Sequence, residues 1–182
     1  MDDLPSRPRY TLGGKEGHHA ADVQRLRAGE EILLSDGRGG LVRAEVSAVG
    51  RGSVDVIAQE RTQVPAADPR LVVVQGIAKG DRGELAVQAM TEIGVDEIVP
   101  WAASRSVAQW RGDRGVKARD KWVSTAREAA KQARRSWLPV VSGDPDVSTK
   151  KVAARLGPAD AAFVLHEEAS DRLTAAKLPG AG

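Results

Sequence analysis

Apolar residues recur along this chain with two different periods, and the change from one to the other falls between residues 62 and 70. Before that point they alternate with polar ones. Val42, Ala44, Val46 and Ala48 make one alternating run, Val54 and Val56 a shorter one, and Ile32 to Leu34 a third apolar segment. Glycine-containing turns at Gly37–Gly40 and Gly50–Gly52 separate them. Alternation bounded by such turns predicts antiparallel strands. Upstream, Ala20, Val23 and Leu26 recur at helical spacing in "EGHHAADVQRLRAGE", which predicts one short helix with Gly29 as its C-cap. The first part therefore reads as a small β-barrel-like module carrying one helix.

"TQVPAADPR", residues 62–70, has the composition of a linker. Beyond it, "LVVVQGIA" (71–78) is a largely continuous apolar, β-branched run, the mark of a strand buried on both faces. In "GDRGELAVQAMTEIG" the residues Leu85, Ala89, Met90 and Ile93 predict one helical stripe, closed by Gly94. "VDEIVPW" predicts a second strand. A long helix from about Val116 to Arg135 carries Trp122, Ala126, Ala129 and Ala133 on one side. "LPVV" is a third strand, "STKKVAARLG" a helix capped by Ser148 or Thr149, "DAAFVLHEE" a fourth strand and "SDRLTAAKL" the start of another helix. Alternating strands and helices make this part α/β with a mostly parallel sheet.

Composition narrows the chemistry. With 182 residues, 41% hydrophobic and 29% charged, the chain has material for an ordinary globular core. It has no cysteine, so disulfides, thiolate zinc sites and cysteine nucleophiles are excluded. "MDDLPSRPRY" lacks the apolar core of a secretory signal, and no run approaches a membrane span, so a cytoplasmic protein without a membrane partner is expected.

Charge is uneven. Between Arg105 and Arg135 ten cations (Arg105, Arg111, Arg114, Lys117, Arg119, Lys121, Arg127, Lys131, Arg134, Arg135) face three anions (Asp113, Asp120, Glu128), an excess of seven in a chain of net charge +2. Such a local excess is the footprint of a phosphate-backbone partner, although a solvated helix face gives the same pattern. Trp110 and Trp137 either stack on bases or belong to the core. Glu128, Gln132 and Arg135 share one helix face by their spacing.

Other clusters say less. His18 and His19 lack a third metal ligand, so phosphate contact or plain helix surface is the better reading, and no metal is expected. "SDGRGG" precedes a strand, not a helix, which makes it a hairpin turn and not a nucleotide loop. "LHEEAS" follows an apolar run. Ligands of open α/β sheets bind beyond the carboxyl ends of the strands, which makes this a ligand loop rather than a metal or paired-carboxylate site.

Four blocks in order, "EGHHAADVQRLRAGEEILLSDGRGG", "GIAKGDRGELAVQAMTEIGVDEIVPWAASRSV", "KWVSTAREAAKQARRSWLPVV" and "VLHEEAS", together resemble the RsmE family. These are S-adenosylmethionine-dependent methyltransferases of the SPOUT class that methylate uridine N3 in small-subunit ribosomal RNA. The resemblance implies a PUA-like RNA-binding β-barrel over residues 1–64 and, over residues 70–182, a SPOUT α/β methyltransferase domain that is expected to be incomplete at its C-terminus, with the family's trefoil-knot region truncated. It also implies a homodimer and S-adenosylmethionine as cofactor. Family members continue with a glycine-rich cofactor loop beyond "VLHEEAS", so the expectation is that this chain holds one wall of the cofactor pocket, at Leu165, His166 and Glu167. Arg105, after the second strand, is the candidate for holding the anionic base, with Glu128 and Arg135 second. His18, His19, Arg25, Arg27, Arg134 and Arg135 are candidate RNA contacts. The alternative is an RNA-binding module, or fragment, without catalysis.

Overall fold

The computed structural model describes Leu4, residues 7–142 and residues 147–177. The alternating segments pair as an antiparallel sheet: β1 (Arg9–Leu12), β2 (Glu31–Ser35), β3 (Gly40–Gly50) and β4 (Ser53–Gln63), in the order β1-β4-β3-β2. Alternation puts Val42, Ala44, Val46, Val54 and Val56 on one face, where they form a fully buried core with Leu12, Leu34, Ala20 and Ala21. Irregularities at Arg43/Ala44 and Val46/Ala48 bend the long β3–β4 ribbon. Strand β1 escapes the pattern reading because "RYTL" is too short to alternate visibly, yet it pairs along its length from Arg9↔Ile57 to Leu12↔Val54.

The expected single helix is shorter than its period suggests. Helix α1 (Gly14–His18) passes into a wide π turn (His19–Val23), and Arg25 then takes a left-handed φ of 55° that stops helical propagation. Gly29 is consequently not a helix cap: its N–H donates to Val46 O at 2.8 Å and leads the chain into β2.

After the linker, β5 (Val72–Gly76), β6 (Glu97–Trp101) and β7 (Val140–Val141) form a parallel sheet in the order β5-β6-β7. The strand buried throughout is β6, with Ile98 and Val99 inaccessible. The run at β5 is an edge strand with half-buried side chains, because it has a neighbour on one side only. Helices α2 (Arg82–Glu92) and α3 (Gly112–Gln132) pack on the sheet around Val87, Met90, Val95, Ile98, Trp122 and Ala126.

Helix α2 does not bury the expected stripe. Gly83, Val87, Met90 and Thr91 face inward, while Leu85 and Ile93 are 66% and 78% exposed. The reason is close approach. A Cβ on Gly83 would stand 2.9 Å from Trp122 Cζ2, so the glycine selects the face that admits the indole. On α3 the buried residues are Gly115, Trp122, Ala126, Ala129 and Ala130, and Ala133 falls at the exposed cap. Helix α3 also starts earlier than Val116 and stops before Arg135.

Helix α4 (Thr149–Leu156) has Ser148 as its N-cap, the hydroxyl accepting from Lys151 N at 3.4 Å. The apolar run at 161–165 forms no strand. It pairs with no strand among the described residues, and Val164 and Leu165 are 81% and 79% exposed. The expected final helix is a single 3-10 turn, Leu173–Ala175.

The two sheets are tied through main chain. The turn between β2 and β3 meets the loop after α3: Gly39 N donates to Ser136 O at 2.9 Å and Leu138 N to Gly37 O at 2.9 Å. "SDGRGG" is a hairpin turn as expected. Asp36 Oδ1 accepts from Arg38 N at 2.7 Å and Gly40 N at 3.0 Å, while Gly37 and Gly39 adopt φ of 69° and 89°.

Candidate functional site

The parallel strands β5 and β6 end side by side. Ile77 N donates to Trp101 O at 3.0 Å, and Ser106 Oγ donates to Ile77 O at 2.8 Å, which folds the loop after β6 back over the end of β5. Trp101 Nε1 donates to Thr149 Oγ1 at 3.2 Å, and Ala102 N to Val147 O at 3.0 Å, so the start of α4 is drawn to the same end. Arg105 stands exposed in the turn of this loop. Its place beyond a parallel strand's carboxyl end is where open α/β sheets hold ligands.

Glu128 lies elsewhere. It lines a groove of about 440 Å³ between α2 and α3, with Gln88, Lys121, Ser124, Thr125, Ala129 and Gln132. Lys131 Nζ donates to Glu128 Oε1 at 3.2 Å. No hydrogen bond or ion pair joins Glu128 to Arg105 among the described residues, so the structure does not bring these two candidates together.

"LHEE" is a tight turn in place of a strand end. Ala169 N donates to His166 O at 3.0 Å and Glu168 N to His166 Nδ1 at 3.1 Å. Leu165, His166 and Glu167 are exposed, so their side chains are open to a ligand. Among the described residues no group of three His, Asp or Glu side chains is placed to hold a metal ion, and no helix is long and apolar enough to cross a membrane.

The basic segment sorts into two sets. Lys121 pairs with Glu84 at 2.8 Å, Arg119 with Asp120 at 3.2 Å, and Lys131 with Glu16 at 2.8 Å. Arg135 turns inward. Its guanidinium donates to Thr91 O at 3.1 Å, Val95 O at 2.7 Å and Gly94 O at 3.3 Å, with Asp96 Oδ1 at 3.7 Å. Burial pushes its pKa down, and the Asp96 charge opposes that. Its side chain, 14% exposed, is thus occupied in holding the carbonyls at the end of α2. The remaining cations, Arg105, Arg111, Arg114, Lys117, Arg127 and Arg134, are exposed and carry no ion pair among the described residues.

Neither tryptophan flanking this segment is a stacking platform. Trp110 packs edge-to-face on Trp122 with centroids 4.7 Å apart, and Trp137 donates from Nε1 to Val64 O at 3.0 Å. Both are half-buried, Trp110 against the core of the α/β unit and Trp137 at the joint. On the β module His18, His19, Arg25 and Arg27 are exposed, and His18 Nδ1 lies 2.6 Å from Asp22 Oδ2.

Sequence reasoning missed Glu97. It is buried in β6, where it accepts from Ser142 Oγ at 2.7 Å, Arg155 at 2.7 Å and Arg70 at 2.8 Å, joining linker, sheet and α4. A carboxylate inside an apolar strand pattern was the available signal. Burial opposes its ionisation, but the hydrogen bonds from Ser142 and Arg155 and the charges of Arg155 and Arg70 hold its pKa below the ordinary range.

The chain is thus an antiparallel β module joined to a parallel α/β unit, with a basic helix beside the joint. Residues 66–181 match the family described as RNA methyltransferase domain, and residues 12–59 match RNA methyltransferase PUA domain. Over 176 residues the chain is 39% identical to Ribosomal RNA small subunit methyltransferase E of Mycobacterium bovis, covering 95% of this chain and 67% of that protein. The protein of the same name from Bacillus subtilis is 30% identical over 165 residues, with 90% and 63% covered. The Legionella pneumophila protein Lpg2936, solved with the cofactor SAM, superposes with a TM-score of 0.66 at 25% identity, covering 77% of this chain and 57% of that one. Ribosomal RNA small subunit methyltransferase E from Neisseria gonorrhoeae superposes with a TM-score of 0.70 at 23% identity over 82% of this chain and 61% of that one, a likeness of fold. The chain belongs to this RNA methyltransferase family, in which it is similar to the small-subunit methyltransferase E proteins. It spans less than two thirds of the length of the solved structures it matches, 57% and 61% for these two.

Proposed function

We propose that the protein methylates N3 of a uridine in small-subunit ribosomal RNA, with S-adenosylmethionine as the methyl donor. The observation that carries this reading is the match of both modules, in order, to an RNA methyltransferase and its PUA domain. The arginines and lysine on and around α3 that are exposed and carry no ion pair among the described residues support an RNA partner, because counterion release at phosphates rewards accessible cations.

Transfer would break the donor's methyl–sulfur bond, leaving a neutral thioether, and form the N3–methyl bond, with the N3 proton passing to solvent. Leu165 offers apolar surface and Glu167 a carboxylate in an open turn, a set that suits an adenosine-bearing ligand with hydroxyl and ammonium groups. A bound sulfonium donor supplies an electrophilic methyl group. Arg105 stabilises the uridine anion left at N3 and holds the base in line, and positioning of this kind accounts for much of the rate. Arg105 is preferred to Glu128 because it stands at the strand ends, whereas Glu128 lines the groove along the helices. His18, His19, Arg25, Arg27 and Arg134 make phosphate contacts. The base leaves its stack to reach the site.

A homodimer in the cytoplasm is part of the proposal. The exposed Leu85, Ala89 and Ile93 face of α2 supports an assembly, which sedimentation of the chain tests. A second reading, RNA binding without catalysis, is favoured by the exposure of Leu165 to Glu167. Transfer of labelled methyl from S-adenosylmethionine to small-subunit ribosomal RNA decides between the two. Arg105→Ala should cut turnover at least tenfold while leaving RNA affinity within about threefold. Unchanged turnover in that variant removes Arg105 from the mechanism.

A further inference from the structure

We infer that Glu16 and Lys131 form a positioning contact that fixes the orientation of the β module on α3, and that Lys131 is not among the cations that meet RNA. The inference deepens the RNA reading above and rests on it for the second of its tests. Lys131 Nζ lies 2.8 and 3.1 Å from the two oxygens of Glu16, a residue 115 positions away in the other module, and 3.2 Å from Glu128 on its own helix. Burial opposes both charges, yet their mutual hydrogen bond and attraction prevail: Glu16 is held below the ordinary carboxyl range and Lys131 above the ordinary ammonium range.

The place of this pair gives it meaning. The modules also meet at the main-chain bonds of Gly37 and Gly39 with Leu138 and Ser136. Those bonds, the linker and the bond from Trp137 Nε1 to Val64 O all lie at the Gly40–Gln63 end of the β3–β4 pair, and a second, separate contact limits pivoting about that end. Exposed ion pairs add little to global stability. A small energy is still enough to select one orientation among a few that differ by little. Along α3, Arg127 and Lys131 lie four residues apart on one face, and Arg134 follows at the helix end. Lys131 is taken by two carboxylates, whereas Arg127 and Arg134 are exposed without ion pairs among the described residues. The helix thus gives one cation a direct hydrogen bond to the partner module, while Arg127 acts on Glu16 only through its charge and stays exposed.

The first test needs no RNA. The chain has no cysteine, so spin labels can be placed at Arg51→Cys in the β3–β4 turn and Glu92→Cys at the end of α2 of the full chain. Glu16→Gln and Lys131→Met should each broaden the distance distribution between the labels, and the exchange Glu16→Lys with Lys131→Glu should narrow it again. A distribution unchanged in both single variants overturns the inference, as does an exchange that fails to restore it while remaining folded by circular dichroism.

The second test is binding of a small-subunit ribosomal RNA fragment by fluorescence anisotropy across salt concentrations. Simple electrostatics predicts that Glu16→Gln, which removes a negative charge from a basic surface, tightens binding. A positioning contact predicts about two- to fivefold weaker binding, with the salt slope unchanged because no phosphate contact is lost. Tighter binding by Glu16→Gln, or a slope reduced by Lys131→Met, overturns the assignment. Arg127→Gln and Arg134→Gln control for the RNA reading itself. Unchanged affinity in both would defeat that reading and leave the spin-label result standing.

Discussion

The indole N–H of Trp137 donates to the carbonyl of Val64 at 3.0 Å, and Val64 N in turn donates to Gly39 O at 2.8 Å. The loop after α3 is thereby stitched to the end of β4 and to the β2–β3 turn. Trp137→Phe keeps the ring but orphans the carbonyl, and is expected to cost about 1–2 kcal/mol. Gly39→Ala should do more harm. Its φ of 89° disfavours any side chain, and an added Cβ would press on Val64 O, Gln63 and Trp137. Urea titration monitored by tryptophan fluorescence should show lower midpoints for both variants, with Gly39→Ala the lower. Equal midpoints for Gly39→Ala and the parent would contradict the tight joint.

Arg135 should behave as a structural residue. Its side chain satisfies three carbonyls at the end of α2 and faces Asp96. Arg135→Met takes the guanidinium from Val95 O, Gly94 O and the Asp96 charge, while Thr91 O keeps Gly94 N and Asp96 Oδ2 keeps Leu71 N, a loss of about 2–4 kcal/mol. The check is a shift of the thermal midpoint to lower temperature. Arg135→Lys should recover only a part, because an ammonium cannot reproduce the planar fork.

Glu97 gives the fold a pH dependence of predictable sign. Its folded pKa is depressed below 4.5, so its contribution is fully present above that value and is lost as pH falls through the folded pKa. Thermal midpoints measured from about pH 7 downward should therefore drop below pH 4.5 in the parent, and drop less steeply in Glu97→Gln. Parallel curves would remove Glu97 from the acid response.

Much of this architecture could be read from apolar spacing, and the failures have local causes. The alternation at Val42–Ala48 and at Val54–Val56 gave strands because one face of that sheet is buried and the other is wet. The stripe on α2 was misassigned because Leu85 and Ile93 look like core, whereas the glycine at 83 admits Trp122 and sets the inward face. The run at 161–165 has strand composition but finds no pairing partner among the described residues, and composition alone cannot supply one. In the candidate site, the position of Arg105 followed from strand order. The fate of Arg135 and Lys131 did not, because both act on residues distant in sequence: Thr91 to Asp96 for one, Glu16 for the other. A count of charges cannot separate a cation that faces a phosphate from one that faces a carbonyl.

Arg134 is where stability and function should part. It follows the cap residue of α3 with a left-handed φ of 53°, while Arg134 N donates to Lys131 O at 3.1 Å and Arg135 N to Ala130 O at 2.9 Å. This is the pair of bonds that closes a helix in a Schellman motif, and the left-handed position is one that glycine normally fills. A side chain there costs about 1 kcal/mol relative to glycine. Arg134→Gly should therefore raise the unfolding free energy by about that amount in urea titration. If Arg134 is also a phosphate contact, the same variant loses one counterion-releasing interaction. Its affinity for small-subunit ribosomal RNA should fall, and the slope of log affinity against log salt should shrink by roughly 0.7–0.9. Conjunction of the two changes is diagnostic: a residue that keeps a strained conformation in spite of a more stable alternative is retained for what its side chain touches. A more stable protein with undiminished RNA affinity would show that Arg134 touches no phosphate.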